Sequence, residues 1–223
     1  METVPQDRNR PDVIDARRAY AGWYLEVTNM EQPPELIYVD ESGFNLWTAR
    51  TRGRAHRGVR AVRVVHGQRG GNFTLILAVS SRRGIVHSHF FQGGTNAQRF
   101  NQWLQDAAAA AGDQPAIFVM DNAPCHRHTQ DAGAVKLLPP YSPFLNIAEN
   151  AFSIWKASFK RELAEVREEI RNQDAGVRQA TLVQLGQQNL AAITPLKMAA
   201  ATRAMVRLMP RLLNAEAIAD NHA

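Results

Sequence analysis

Three carboxylates carry the chemistry that this sequence is equipped to do. Asp40 follows the apolar run Leu36-Ile37-Tyr38-Val39, and Asp121 follows Ile117-Phe118-Val119-Met120. Each run is short, apolar and bounded by turn signals, the pattern of a buried strand, so both aspartates are expected where strands end. Glu149 stands just beyond a stretch broken by Pro139, Pro140 and Pro143, and is expected in the first turn of a helix that starts at Asn146. Folding the loop between these elements can bring all three together. Three like charges at close quarters are unfavourable unless cations neutralise them. Two Mg²⁺ (or Mn²⁺) ions roughly 3.5–4 Å apart, held by carboxylates, are the standard arrangement for in-line phosphoryl transfer. Glu149 has a competing reading. Asn146-x-x-Glu149 has the spacing of a capping box, in which the glutamate only bonds the backbone N–H of the cap residue.

The elements that must position these groups can be read from periodicity. Strands are expected at 36–39, 73–79, 85–91, 117–120 and 135–138, with a hairpin turn at 81–84 and an extended segment at 59–66. Thr95 or Asn96 caps a helix that runs to about Ala111, with Phe100 and Leu104 inward. From Asn146 a long helix carries Ala148, Phe152, Trp155, Phe159, Leu163 and Val166 at spacings of three and four, one apolar stripe. Upstream, Pro11 suits a first helical position, and Tyr20, Trp23, Tyr24 and Val27 form a packing face before Pro33-Pro34. Beyond Arg171 two helices are expected, 175–189 and 195–214, the second with Arg203, Arg207 and Arg211 in an i, i+4 row. This order alone specifies a mixed α/β fold and nothing finer.

Three motifs add to it. YVDESGFN at 38–45, VMDNAPCHR at 119–127 and LPPYSPFLNIAENAFSIWK at 138–156 closely resemble the catalytic domain of the Tc1/mariner and IS630-type DDE transposases. The resemblance covers about residues 36 to 163, with all three motifs in order. It implies a ribonuclease-H-like fold: a mixed five-stranded sheet flanked by helices, with the first and fourth strands adjacent, and a C-terminal helical extension. It places the acidic triad on Asp40, Asp121 and Glu149 as catalytic residues and metal ligands. It implies double-stranded DNA, transposon ends and target, as partner, with strand cleavage followed by 3′-end joining. Two departures lie near the third motif, where Phe144 replaces the usual Asp and Ile147 the usual Pro. His126 is a motif position without an assigned role. Two other readings stand beside this one: a ribonuclease-H-like nuclease that cuts without joining, and an inactive, DNA-binding remnant of a transposon.

Charge supports a polyanionic partner. The 223 residues carry a net charge of +5, and no acidic residue occurs from Ser42 to Gln105 while arginines accumulate. A run of one sign repels itself unless phosphates or distant carboxylates neutralise it, and guanidinium groups suit bidentate phosphate contact. Arg50, Arg52, Arg54 and Arg57, with Lys156 and Lys160 on the long helix, are therefore read as DNA-binding; a solvated face is the plainer alternative. Cys125, His126 and His128 do not make a zinc site, because adjacent residues rarely share an ion and no second cysteine exists. His87 and His89 share a strand face and are read as packing or exposed. The single cysteine rules out an internal disulfide and favours an intracellular, reducing setting: nucleus in a eukaryote, cytoplasm or nucleoid in a bacterium. No apolar run approaches the ~18 residues of a membrane span. The chain divides into 1–35, a helical linker or remnant of an end-recognition region; 36–171, the catalytic domain; and 172–223, a helical extension that could cover the catalytic core, mediate a homodimer or bind DNA. Some thirty residues cannot hold two helix-turn-helix units, so the chain is expected to be a fragment or a truncated copy.

Overall fold

The computed structural model describes residues 6–46, 48, 56–59, 71–126 and 134–218. Five strands form one sheet: β1 (Glu35–Phe44), β2 (Phe73–Ser80), β3 (Gly84–Gln92), β4 (Ala116–Met120) and β5 (Ala134–Leu137). Their order is β3-β2-β1-β4-β5. The first three are antiparallel neighbours, while β4 and β5 run parallel to β1 and to each other. The helices are α1 (Pro11–Thr28), α2 (Ala97–Ala111), α3 (Ile147–Arg171), α4 (Ala175–Gln188), α5 (Pro195–Val206) and α6 (Met209–Leu213). The extended segment expected at 59–66 lies almost wholly outside the described residues. Among the described residues no helix is long and apolar enough to cross a membrane.

Strand alternation decides which face each side chain joins. Ile37, Val39, Ile76, Ala78, Phe118 and Met120 pack with Phe100, Trp103, Leu104 and Ala107 of α2. Tyr38, Leu75, Leu77, Val79 and Val119 pack on the other face with Phe152, Trp155, Phe159 and Leu163 of α3. By the same alternation Asp40 falls on the α3 side and its neighbour Glu41 on the α2 side. Trp155 and Phe159 are wholly buried, and each contributes on the order of 2–3 kcal/mol. The Trp155 indole also donates to the Gly186 carbonyl (2.9 Å), which ties α3 to α4. The helix that carries Glu149 is therefore anchored along its length. Its apolar stripe drifts at the far end, where Arg167 is buried and Val166 only partly so. The Arg167 guanidinium donates to the carbonyls of Leu46 (3.1 Å) and Thr48 (2.9 Å), holding the chain that leaves β1.

The second core does not stop at the motif region. Tyr20, Ala21 and Tyr24 of α1, Leu182 and Leu185 of α4, Met205 of α5 and Ile218 all belong to it. Segments 1–35, 36–171 and 172–223 thus meet in one hydrophobic interior. Two expectations need correction. The strand bearing Asp40 does not end there: β1 continues to Phe44, because its antiparallel ladder with β2 runs on to Phe44↔Phe73 after the pairing with β4 has stopped at Tyr38↔Val119. The single helix expected at 195–214 is broken after Val206. Pro210 lacks an N–H and its ring would clash with the carbonyl four residues back, so α6 starts afresh at Met209. The arginine row is interrupted with it, and Arg211 instead pairs with Glu216 (3.1 Å).

Part of the arginine run is spent on contacts within the chain. Arg83, in the hairpin between β2 and β3, bonds the nearly buried Glu35 with both nitrogens of its fork (3.1 and 2.6 Å). Ser80 donates to the same carboxylate (2.6 Å). Arg83 also reaches the carbonyls of Ala110 and Ala111 at the end of α2, so it staples three elements. The hairpin turns at Gly84, whose φ of 75° suits glycine and whose missing side chain leaves room for Pro195.

Candidate active site

The parallel pairing of β1 with β4 puts Tyr38 opposite Val119. Two residues further on come Asp40, still within β1, and Asp121, the first residue after β4, so the adjacent parallel strands deliver both to the same end of the sheet. Glu149 approaches from α3, and Asn146 sets that approach. Its side-chain oxygen accepts the Ala148 N–H (3.1 Å), capping the helix. Its amide nitrogen donates to the Val39 carbonyl (3.3 Å), one residue before Asp40. Its own N–H goes to the Pro143 carbonyl (2.9 Å). The capping box is therefore not what occupies Glu149, since the N–H it would accept is already bonded. Asp40, Asp121 and Glu149 all line one open cleft of about 560 Å³, with Asn122, Tyr141 and Asn146 among its other walls.

Crowding shows in the proton affinities. The Asp40 carboxyl is pushed up to about 7, first by burial and then by the Glu149 and Asp121 charges, against a hydrogen bond from the Glu41 N–H. Glu149 is also raised by burial, with Asp121 adding and Lys156 opposing. Asp121 goes the other way and is lowered, chiefly by a hydrogen bond from His126. The His126 Nδ1 lies 2.7 Å from the Asp121 carboxylate. Burial alone would lower the imidazole, but Asp121 and Glu41 outweigh it and raise it to about 9. Glu41 stands 3.6 Å from Nε2, and the Phe100 ring of α2 packs against the imidazole with centroids 4.1 Å apart. A chain of contacts thus runs from the α2 core through His126 to Asp121. Sequence reasoning noted His126 without a role and missed Glu41. The expected strand stopped at Asp40, so its alternation did not reach Glu41, which the longer β1 turns toward α2.

The donor set fits a hard divalent cation. Among the described residues no three His, Cys, Asp or Glu side chains close into a ligand cluster. The carboxylates instead line an open cleft, which suits an ion such as Mg²⁺ that keeps water and takes further ligands from substrate phosphate. A closed cage of nitrogen and sulfur donors, as structural zinc needs, is a different arrangement.

The loop that aims Glu149 is held from α1. Arg17, buried although charged, donates to Ser142 Oγ (2.8 Å) and to the carbonyls of Tyr141 (3.1 Å) and Arg8 (2.7 Å). Burial and the nearby Arg8 charge lower its guanidinium to about 10. Phe144, where the resembled family usually carries Asp, lies under the guanidinium groups of Arg8 and Arg17 (5.2 and 5.4 Å to the ring centroid). Of the expected DNA contacts, Arg57 is exposed, while Lys156 and Lys160 are partly buried along α3. The Lys156 ammonium lies 5.9 Å from the Phe152 ring centroid and acts on Glu149. Arg50, Arg52 and Arg54 lie outside the described residues.

Comparison with known proteins agrees with this geometry. The sequence model of the DDE superfamily endonuclease family matches residues 35–171. No curated protein matches the chain by sequence. The structure is similar to a Mos1 pre-cleavage transpososome (17% identity, TM-score 0.70), over 99% of this chain and 67% of that one. It is similar to the Mos1 mariner paired-end complex with Mn (18%, TM-score 0.70), over 99% and 67%. It is similar to the isolated catalytic domain of Mos1 mariner transposase (16%, TM-score 0.62), over 99% of each chain. The chain thus spans about two thirds of the longer Mos1 chains and nearly all of the isolated catalytic domain. At such identities the likeness is one of fold, the ribonuclease-H-like mixed sheet with flanking helices. With the family match spanning all three cleft carboxylates, the chain belongs to the DDE superfamily endonucleases.

Proposed function

We propose that this chain is the catalytic domain of a DNA transposase that cuts a strand and joins the freed 3′ end to target DNA. The observation that carries the reading is the convergence of Asp40, Asp121 and Glu149 on one cleft from two adjacent parallel strands and a helix start. The three act as ligands for two Mg²⁺ or Mn²⁺ ions. When bound, the metals supply positive charge at the scissile phosphate and acidify the attacking hydroxyl, so no general base from the protein is required. The side chains position the rest. His126 holds the Asp121 carboxylate, Asn146 sets the approach of α3, and Lys156 offsets charge beside Glu149. Arg50, Arg52, Arg54, Arg57, Lys156 and Lys160 bind backbone phosphate of double-stranded DNA. The similar structures include a transpososome, a paired-end complex and a strand transfer complex of Mos1, which supports DNA as the substrate here. The chain works wherever DNA is housed, nucleus or nucleoid.

Nicking of supercoiled plasmid in Mg²⁺ tests the cutting step. Asp40→Asn, Asp121→Asn and Glu149→Gln are each expected to abolish it while the chain stays folded. Wild-type nicking in any one of them removes that residue from the triad. Joining of a labelled 3′ end to plasmid separates a transposase from a nuclease that only cuts.

A further inference from the structure

Two segments from opposite ends of the chain meet behind the acidic cleft. Asn9 closes the 3₁₀ turn Gln6–Asn9 that precedes α1. Its amide donates to the Ile218 carbonyl (3.2 Å), and its Oδ1 accepts the Ile218 N–H (3.2 Å). Ile218 is itself wholly buried in the core that it shares with α3. The same Oδ1 accepts from Arg17 Nη1 (3.1 Å). Arg17 thus divides its fork between two sides. Asn9 and the Arg8 carbonyl lie on one, Ser142 Oγ and the Tyr141 carbonyl on the other. All four acceptors are uncharged, yet Arg17 is only 1% exposed. Burying a charge among neutral acceptors is costly, and an apolar side chain of similar length would fill the space without that cost.

What the arginine holds accounts for its presence. Tyr141 has a φ of 53°, in the left-handed region that a residue with a large side chain rarely adopts. Such backbone persists only where its surroundings enforce it. From Ser142 a ladder of backbone bonds climbs to Glu149. The Leu145 N–H donates to the Ser142 carbonyl (3.0 Å), the Asn146 N–H to Pro143 (2.9 Å) and the Glu149 N–H to Asn146 (3.1 Å). A shift at Ser142 is therefore passed to the first turn of α3. We propose that Asn9 and Arg17 are positioning residues for Glu149, and that the C-terminal segment at Ile218 completes the brace. Through it, residues near both ends of the chain set the affinity of the cleft for its divalent ion. This rests on the reading of the three carboxylates as metal ligands. None of the three brace residues lines the cleft, and all lie outside the family match at 35–171.

The test uses the full chain without DNA and measures Mn²⁺ affinity by calorimetry, with amide exchange over residues 141–149 in EDTA. Groups that orient metal ligands are worth roughly 10- to 100-fold in affinity. Arg17→Met should weaken Mn²⁺ by about that factor and speed exchange at Leu145, Asn146 and Glu149. Asn9→Leu should act in the same direction by less, while Asn9→Asp keeps the oxygen acceptor and should keep wild-type affinity. The sign is diagnostic. By charge alone, removing a cation near the cleft would tighten a divalent ion. Arg17→Lys keeps the charge but not the fork, so it should weaken Mn²⁺ too; it and Asn9→Leu carry the test if Arg17→Met does not fold. Arg83→Gln breaks the contacts with Glu35 at the far end of β1 and should lower the melting midpoint without moving Mn²⁺ affinity. An equal loss of affinity in Arg83→Gln would reduce the effect to general stability and overturn the brace. Unchanged or tighter Mn²⁺ binding in folded Arg17→Lys and Asn9→Leu would overturn it while the metal reading stands. A wild type that binds no Mn²⁺ overturns both.

Discussion

Replacing Asp40 by asparagine should make the metal-free protein more stable, and the gain should depend on pH. Asp40 has an ordinary carboxyl value of 3.8 and is pushed up to about 7 in the fold by burial and by Glu149 and Asp121. A raised carboxyl means that the folded chain holds its proton more tightly than the unfolded one. The contribution of Asp40 to stability is therefore most favourable below about pH 4, falls as pH rises through the window from about 4 to 7, and stays low above it. The displacement caps the cost at roughly 4 kcal/mol, and water entering the open cleft brings it nearer to about 2. Asn keeps the oxygen that accepts the Glu41 N–H but cannot ionise. In EDTA at pH 8, Asp40→Asn should thus be stabilised by about 2–4 kcal/mol, a rise in melting midpoint of roughly 5–15 °C for a chain of this size. The difference should vanish near pH 4. Saturating Mg²⁺ should narrow it again at pH 8, by stabilising the wild type alone. Urea unfolding at pH 4 and 8, with and without Mg²⁺, reads all of this. A variant no more stable than wild type at pH 8, or a gain unchanged at pH 4, would refute the crowded-carboxylate reasoning.

His126 has the opposite kind of group but the same direction of displacement. Its stabilising charge is present below about pH 6.5 and lost as pH rises toward 9, so His126→Gln should lose on the order of 1–3 kcal/mol at pH 6 and little at pH 9.5. Equal losses at both pH values in urea unfolding would show that only packing against Phe100 matters. Replacing Arg50, Arg52 and Arg54 with Gln should weaken DNA binding and flatten its salt dependence by about 0.9 log unit per lost phosphate contact. An unchanged slope in a salt titration returns these residues to a solvated face. The chain should also bind DNA with little sequence preference. Helix α1, before β1, spends Tyr20, Ala21 and Tyr24 in the core, and the face it leaves exposed carries Asp12, Asp15 and Glu26, whose charge repels DNA. Competition against random DNA should show discrimination well below the thousandfold typical of specific binders.

Much of the fold was legible because the strands are short apolar runs and α2 and α3 carry clean helical stripes. Asp40, Asp121 and Glu149 stood out by type and placement, at the ends of those runs. What escaped were features that depend on partners distant in sequence. β1 outruns Asp40 because β2, beginning about thirty residues later, supplies its ladder. The role of Asn146 could not be separated from a capping box until its amide was seen on the Val39 carbonyl. Glu41 and His126 look unremarkable as residues in separate motifs, and they meet only because β4 lies beside β1. Arg83 belonged to a one-sign run that invited a phosphate reading, and its carboxylate partner, Glu35, lies before that run begins. Arg17 sits outside the matched family region, yet it holds the loop beside the cleft.

Crystals of the chain soaked in Mn²⁺, measured at a wavelength where manganese scatters anomalously, address the central claim directly. The account predicts two anomalous peaks in the cleft, roughly 3.5–4 Å apart, with Asp40, Asp121 and Glu149 as their protein ligands. It also predicts that Asp121→Asn weakens or removes at least one of them. Manganese bound only elsewhere, or a cleft that stays empty at millimolar Mn²⁺, would contradict it.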